Sequence, residues 1–443
     1  MATCLLECGH ELIKYLRQDQ VKPTTLEDAA SSISQFDLER VVASIAPPNY
    51  KGDSVYTELD AYWNHYPAIF KKFPKTVIQG WLAVRIINTL SPRMTVPDGG
   101  YTPAQCINIA DELLRHITGR FFVGARFPEA GKKQLEEAAS FIKEQAALNF
   151  KSLSWMSADL RKRLAQKAAN IAVNVGYRTS NPDLRSPQSL ADYYKSINIT
   201  TNMFVNDVSS RRHKTRKSWE QLTQPLDRAM GDWPTVASNA QYFSPHNALH
   251  MHPSMLQLPL YHPDLPSYAV FGSVGSIIGH EIFHGFDGSR RKVDENGLDK
   301  PFWDQKSDEE WEKRAQCLVQ QYNGFEFKLP GGETGTVNGS TTLDENVADN
   351  AGNKMAYNAW KAYTKKYGQP AMLPGLEKFT TDQLFFIFFG ATWCNSFREG
   401  VNLARANGVH AHNSARINGT ITNSRAFREA FKCKVKEPVC EIY

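Results

Sequence analysis

Residues 279–287 read GHEIFHGFD, two histidines four positions apart with a glutamate directly after the first. On a helix, positions four apart lie above one another, so His280 and His284 face the same way. Two imidazole nitrogens so placed can reach one ion at about 2.0–2.1 Å. Glu281 stands beside that face, close enough to act on a water bound there. Val274, Ile277, Ile278, Ile282 and Phe283 supply apolar surface to bury such a helix. The competing reading is a buried helix with two hydrogen-bonded histidines, and a third ligand is what separates the two.

A catalytic zinc takes three protein ligands and keeps one position open for water. The best third ligand lies downstream, in TLDENVADNAG (342–352), 61 positions after His284. There Glu345 and Asp349 are also four apart, and Val347, Ala348, Ala351, Met355 and Ala359 complete the pattern of a second helix. Glu345 would join the metal. Asp349, one turn on, could accept the free ring N–H of a ligand histidine and fix its tautomer. The triplet His246, His250 and His252 in HNALHMHP has no carboxylate or cysteine interleaved and is read as structural.

The elements that must carry these residues read as mainly α, with a small β element. The stretch near residues 2–18 is amphipathic, and 74–91 and 129–157 carry helical periodicity. A helix over 157–175 opens on Ser157 as its cap, and 176–189, rich in Pro, Ser and Asn, reads as a loop. Between 232 and 272, short β-prone runs broken by Pro and Asn suggest edge strands beside a site. Helical pattern returns at 271–286, 307–322, 342–367, 380–400 and 424–432. No internal repeat or low-complexity tract is present.

With 443 residues, 42% hydrophobic and 22% charged, the composition is that of a globular protein. The formal charge of +5 is small for this length, and the one basic run, SSRRHKTRK (209–217), reads as a solvated loop rather than a nucleic-acid surface. No apolar run approaches the roughly 18–20 residues of a membrane span. The first residues lack the marks of a signal peptide. Seven cysteines and sequons at Asn198, Asn338 and Asn418 lean towards an oxidising compartment.

Five segments in order, NAQY (239–242), IIGHEIFHGFD, ENVADNAG, WCNSFR (393–398) and HAHNSARINGT (410–420), resemble the neprilysin family of zinc metallopeptidases. Weaker likeness runs through FPKTVIQGWLAVRIINTLS, GRFFV and LSWMSADLRKRLAQKA. The resemblance implies a thermolysin-like zincin catalytic lobe over 181–443, facing a partial helical lid lobe over 1–180. It implies one zinc ion on His280, His284 and Glu345, with Glu281 as general base and Asp349 behind a ligand histidine. His410 would donate to the oxyanion of the attacked peptide and Arg416 would grip a substrate carbonyl. Asn239 and Ala240 would bind the peptide backbone, and Met255, Leu260, Ile277 and Trp393 would wall a hydrophobic pocket after the scissile bond. His412 and His252 stand where the family commonly has proline.

The activity so implied is hydrolysis of short peptides on the amino side of a hydrophobic residue. The location implied is extracellular or cell-surface. The sequence begins well inside the family's pattern, which implies a missing N-terminal segment or, as the alternative, a homodimer. Several cysteines then lack their family partners, while Cys317 and Cys440 remain able to pair. The alternative is a shortened homologue that binds peptides with little or no turnover.

Overall fold

The computed structural model describes residues 22–32, 37–50, 55–57, 72–91, 94, 96, 98–229, 234–288, 290–298, 302–328, 332–394 and 408–443. These divide into two compact units, one from residues up to 114 with 191–226, the other from 115–190 with 227–443. The division therefore does not fall at residue 180. Residues 129–169 form two helices whose apolar faces, among them Leu135, Ile142, Phe150 and Leu164, lie in the same core as the GHEIFHGFD helix.

In the first unit, the periodic stretch at 74–91 forms the helix Lys75–Leu90 as expected. The basic run 209–217 is not a loop; it lies within the helix Met203–Glu220. Asn202 caps that helix through the Val205 N–H, and Arg211 pairs with Asp207 at 2.8 Å, one turn away. Charges alternating at helical spacing solvate one face while Ser210 and His213 are buried on the other, which composition alone does not reveal. The expected helix near residues 2–18 lies outside the described residues.

In the second unit, α1 (Glu129–Ser152) and α2 (Ala158–Ala169) are joined by a short turn, and Ser157 caps α2 through the Leu160 N–H. The helix pattern expected to run to 175 stops at Ala169. Residues Ala172–Val175 instead form strand β1. Its register in a sheet decides the matter: β1 pairs in parallel with β3 (Ala248–Met251), which pairs antiparallel with β2 (Ala240–Phe243). Long-range pairing overrides a helical reading of AVNV, as β propensity depends on neighbours. Strand β2 lies at one edge of this three-stranded sheet.

The chain then enters α3 (Ser276–Phe283) through a short helix, Ser267–Val270, and a π turn, Phe271–Gly275. Helix α4 (Gln305–Asn323) follows, then α5 (Leu343–Tyr367) and α6 (Thr381–Thr392), the last with a complete capping box of Thr380 and Gln383. Helices α7 (Asn413–Asn423) and α8 (Arg425–Phe431) close the unit. The periodicity at 410–423 does not announce α7, because six of its eleven residues are Asn, Ser or Thr; His412 supplies its cap instead, accepting the Ser414 N–H.

Helices α3 and α5 pack with their backbones in near contact. A Cβ placed on Gly279 would strike the Gly352 carbonyl, and one on Gly352 would strike the His280 amide. Only hydrogen atoms fit there, and the closeness brings the side chains of two distant segments to one point. Around it, Ile278, Ile282, Phe283, Val347, Ala348 and Met355 are fully or almost fully buried. The fold class is as expected, mainly α with small sheets.

Candidate metal centre

The three side chains named from spacing meet. His280 Nε2 lies 3.0 Å from His284 Nε2 and 3.2 Å from a Glu345 carboxylate oxygen, and His284 Nε2 lies 3.6 Å from the other. They are 7%, 9% and 9% exposed, so the cluster is buried but not sealed. Among the described residues this is the one His/Cys/Asp/Glu group whose donor atoms converge as metal ligands do. His250 and His252 are buried and belong to no such group.

Each histidine is turned by a carboxylate on its other nitrogen. His280 Nδ1 donates to Asp349 at 2.8 Å. His284 Nδ1 donates to Asp287 at 2.7 Å. With Nδ1 carrying the proton toward an acceptor-only carboxylate, both Nε2 atoms are left to face Glu345. Bonds of about 2.0–2.1 Å to one tetrahedral ion would set its ligand atoms roughly 3.3 Å apart, close to the three spacings found. Counting formal charges, Glu345, Asp349 and Asp287 outnumber Arg416 and Arg290 by one, so the cluster calls for a cation. The residues present fit zinc.

The titration behaviour says the same. Burial works against charge on His280, but Asp349 and Glu345 outweigh it and raise its pKa to about 10. Burial alone would raise Glu345, yet its hydrogen bonds to His280 and His410 and the charges of both ligand histidines hold it well below the ordinary carboxylate range. For Asp349, burial is likewise overcome by Arg416 and His280, and its pKa is lowered. The carboxylates around His280 favour positive charge at this point, and a metal cation bound to neutral imidazoles would supply it in place of the proton.

Two further residues expected at the site have partners within it. Arg416, which sequence assigned to a substrate carbonyl, is 6% exposed and grips Asp349 with Nε at 2.6 Å and Nη2 at 2.7 Å. Its guanidinium lies 3.8 Å from the centre of the Trp393 ring, which brings Trp393 to the site's border. His410 reaches in from a largely exposed position, its Nε2 3.1 Å from a Glu345 oxygen. His412 faces away, its ring stacked on Phe327 at 5.3 Å.

Asn239 is exposed and Ala240 buried at the start of the edge strand β2, with the Asn239 carbonyl accepting the His252 N–H. Met255 is buried, and Leu260 and Ile277 are half-buried against the same core. Glu281 is 6% exposed, next to His280 on α3. Sequence reasoning missed Asp287, although it stands in the opening nonapeptide three places after His284. An acid at that offset, just past a helix end, was the available signal.

Cys317 and Cys440 are joined, tying the C-terminal residues to α4. Cys106, Cys394 and Cys433 are exposed thiols. No described helix is long and apolar enough to cross a membrane.

A helix-borne HExxH packed against a second helix that offers a glutamate defines a zincin-type lobe. The signature of Peptidase family M13 matches residues 239–441, and a second signature of the same description matches 14–178. The chain belongs to peptidase family M13. It is 33% identical over 337 residues to neprilysin of Homo sapiens, covering 74% of this chain and 44% of that protein. Over 424 residues it is 27% identical to membrane metallo-endopeptidase-like 1 of Mus musculus, covering 91% and 54%. The chain thus spans about half the length of these relatives. Its fold is similar to that of PepO from Lactobacillus rhamnosis, with TM-score 0.74 and 22% identity, over 94% of this chain and 64% of that one. It is similar too to the zinc metalloprotease Zmp1 of Mycobacterium tuberculosis, with TM-score 0.73 and 19% identity, over 99% and 70%.

Proposed function

We propose that the chain is a zinc-dependent endopeptidase that hydrolyses short peptides on the amino side of a hydrophobic residue. The observation that carries this is the convergence of both Nε2 atoms with Glu345 while Glu281 stands one residue from His280. A zinc ion held there supplies, when bound, activation of water and polarisation of the peptide carbonyl. Glu281 takes the proton of the attacking water and passes it to the leaving amine. His410, largely exposed and reaching the edge of the cluster beside Glu345, donates to the oxyanion. Arg416 acts through Asp349, holding it against His280, and borders the peptide beside Trp393.

The peptide lies along the edge strand β2, with Asn239 and Ala240 binding its backbone. Met255, Leu260, Ile277 and Trp393 receive the side chain after the cut. An extracellular or cell-surface setting is supported by the Cys317–Cys440 bond and by the exposure of all three sequon asparagines.

Digestion of a peptide library by the purified chain, with and without a chelator, tests the reading. Cleavage before bulky apolar residues, lost with the chelator and lost in Glu281→Gln at undiminished zinc content, is expected. A chain that binds zinc and peptides but cleaves none would instead be a peptide-binding homologue.

A further inference from the structure

Behind the metal helix lies a lysine that the proposed chemistry does not use. Lys167, on α2, is 1% exposed, and its Nζ donates to three carbonyl oxygens of the turn that follows α3. These are Gly285 O at 2.6 Å, Val293 O at 2.6 Å and Arg290 O at 3.0 Å. An ammonium has three N–H groups, and each has an acceptor here. The Phe286 ring adds a cation–π contact at 5.1 Å. Burial pulls the lysine's pKa down to about 7, against the attraction of Asp287, Asp294 and Glu295.

A buried ammonium is costly, and three backbone acceptors from one short turn make a specific arrangement. Between the bonded carbonyls sits Asp287, fully buried, whose carboxylate orients His284. Neighbouring carbonyls of the turn have their own donors: Tyr443 Oη to Phe286 O at 2.5 Å, Arg291 to Gly288 O, and Trp303 Nε1 to Arg291 O at 2.9 Å. Those contacts each fix one point. Lys167 ties residue 285, beside the ligand, to residues 290 and 293 beyond Asp287, and so sets the chord across which the turn is strung.

We propose that Lys167 is a positioning residue of the metal centre, holding the turn on both sides of Asp287 and through Asp287 the ring of His284. The inference rests on the proposed zinc site. It goes beyond it in assigning the geometry of one ligand to a cation on a separate helix.

The test is zinc affinity of the purified chain, measured by competition with a chromophoric chelator. The variants are Lys167→Met, Asp287→Asn, the double variant, and Lys143→Met. Lys143 is a control of like chemistry, since its Nζ donates to a backbone carbonyl, that of Ile171, at 2.5 Å rather than to the turn after α3. Lys167→Met is expected to weaken zinc binding by on the order of tenfold, within the range for partners that orient ligands. Adding it to Asp287→Asn should cost no further affinity, because both act on the same ring. Lys143→Met should leave affinity unchanged even where it lowers the melting temperature.

Parental affinity in Lys167→Met, or losses that multiply in the double variant, would overturn the proposal. A parent chain that binds no zinc overturns the metal reading itself, which is a separate result. Should Lys167→Met lack the parental circular dichroism, Lys167→Gln keeps two N–H donors and is read in the same way. A smaller loss of affinity supports the proposal and full affinity refutes it.

Discussion

The two ligand histidines are one turn apart, His280 within α3 and His284 at its C-terminal cap, yet they are held by opposite means. His280 is oriented by Asp349, 69 residues away on α5, and Asp349 is in turn gripped by Arg416 from α7. Every member of that chain of contacts is at least nine-tenths buried. His284 is oriented by Asp287, three residues on, whose partner Arg290 comes from the same turn with a half-exposed side chain. On one side the orienting carboxylate comes from a distant helix; on the other it comes from the adjoining turn, which Lys167 of α2 strings in place. The contrast implies that errors in tertiary packing reach the metal through His280, and errors in the turn reach it through His284.

Removing the glutamate that both rings face is the harshest break. Glu345→Ala should abolish zinc retention through dialysis, read as metal per chain, while circular dichroism stays near parental. Next comes Asp349→Asn, which loosens His280 and strands a buried guanidinium together. We expect zinc affinity to fall toward the upper end of the ~10–100-fold range for such partners. Stability should fall by about 3–5 kcal/mol, as when a buried pair loses one member; denaturant melts check it. Asp287→Asn should cost about tenfold in affinity and much less stability, because Arg290 can turn to water. Equal stability losses in these two variants would erase the contrast.

Gly352→Ala sharpens the comparison from the backbone side. A methyl group against the His280 amide must push α3 and α5 apart, costing roughly 1–3 kcal/mol. Its effect on zinc should resemble that of Asp349→Asn rather than Asp287→Asn. The smallest effect on zinc is expected from Cys317→Ser. It should lower stability by about 2–5 kcal/mol and leave affinity unchanged well below the melting temperature, since the bridge constrains the unfolded chain.

How much of this was legible in the sequence follows the same division between local and distant. His280, His284, Glu345 and Asp349 were readable because each pair repeats at the helical interval, and Ser157 because caps are local. Strand β1 was not, since AVNV is a strand only by virtue of its pairing with β3. Helix α7 hid behind asparagines, serines and threonines that favour turns in isolation. Arg416's partner and Lys167's three carbonyls were invisible because both depend on which helices pack together. The basic run at 209–217 misled for the converse reason: its charges suit a solvated helix face as well as a loop.

The central claim is that His280, His284 and Glu345 together hold one zinc ion. Anomalous diffraction at the zinc edge from crystals of the purified chain, with metal content measured on the same sample, tests it most directly. One zinc per chain, bonded to both Nε2 atoms and to the Glu345 carboxylate, is the predicted result. A metal-free site in zinc-supplemented protein, or zinc bound with Glu345 turned away, would contradict it.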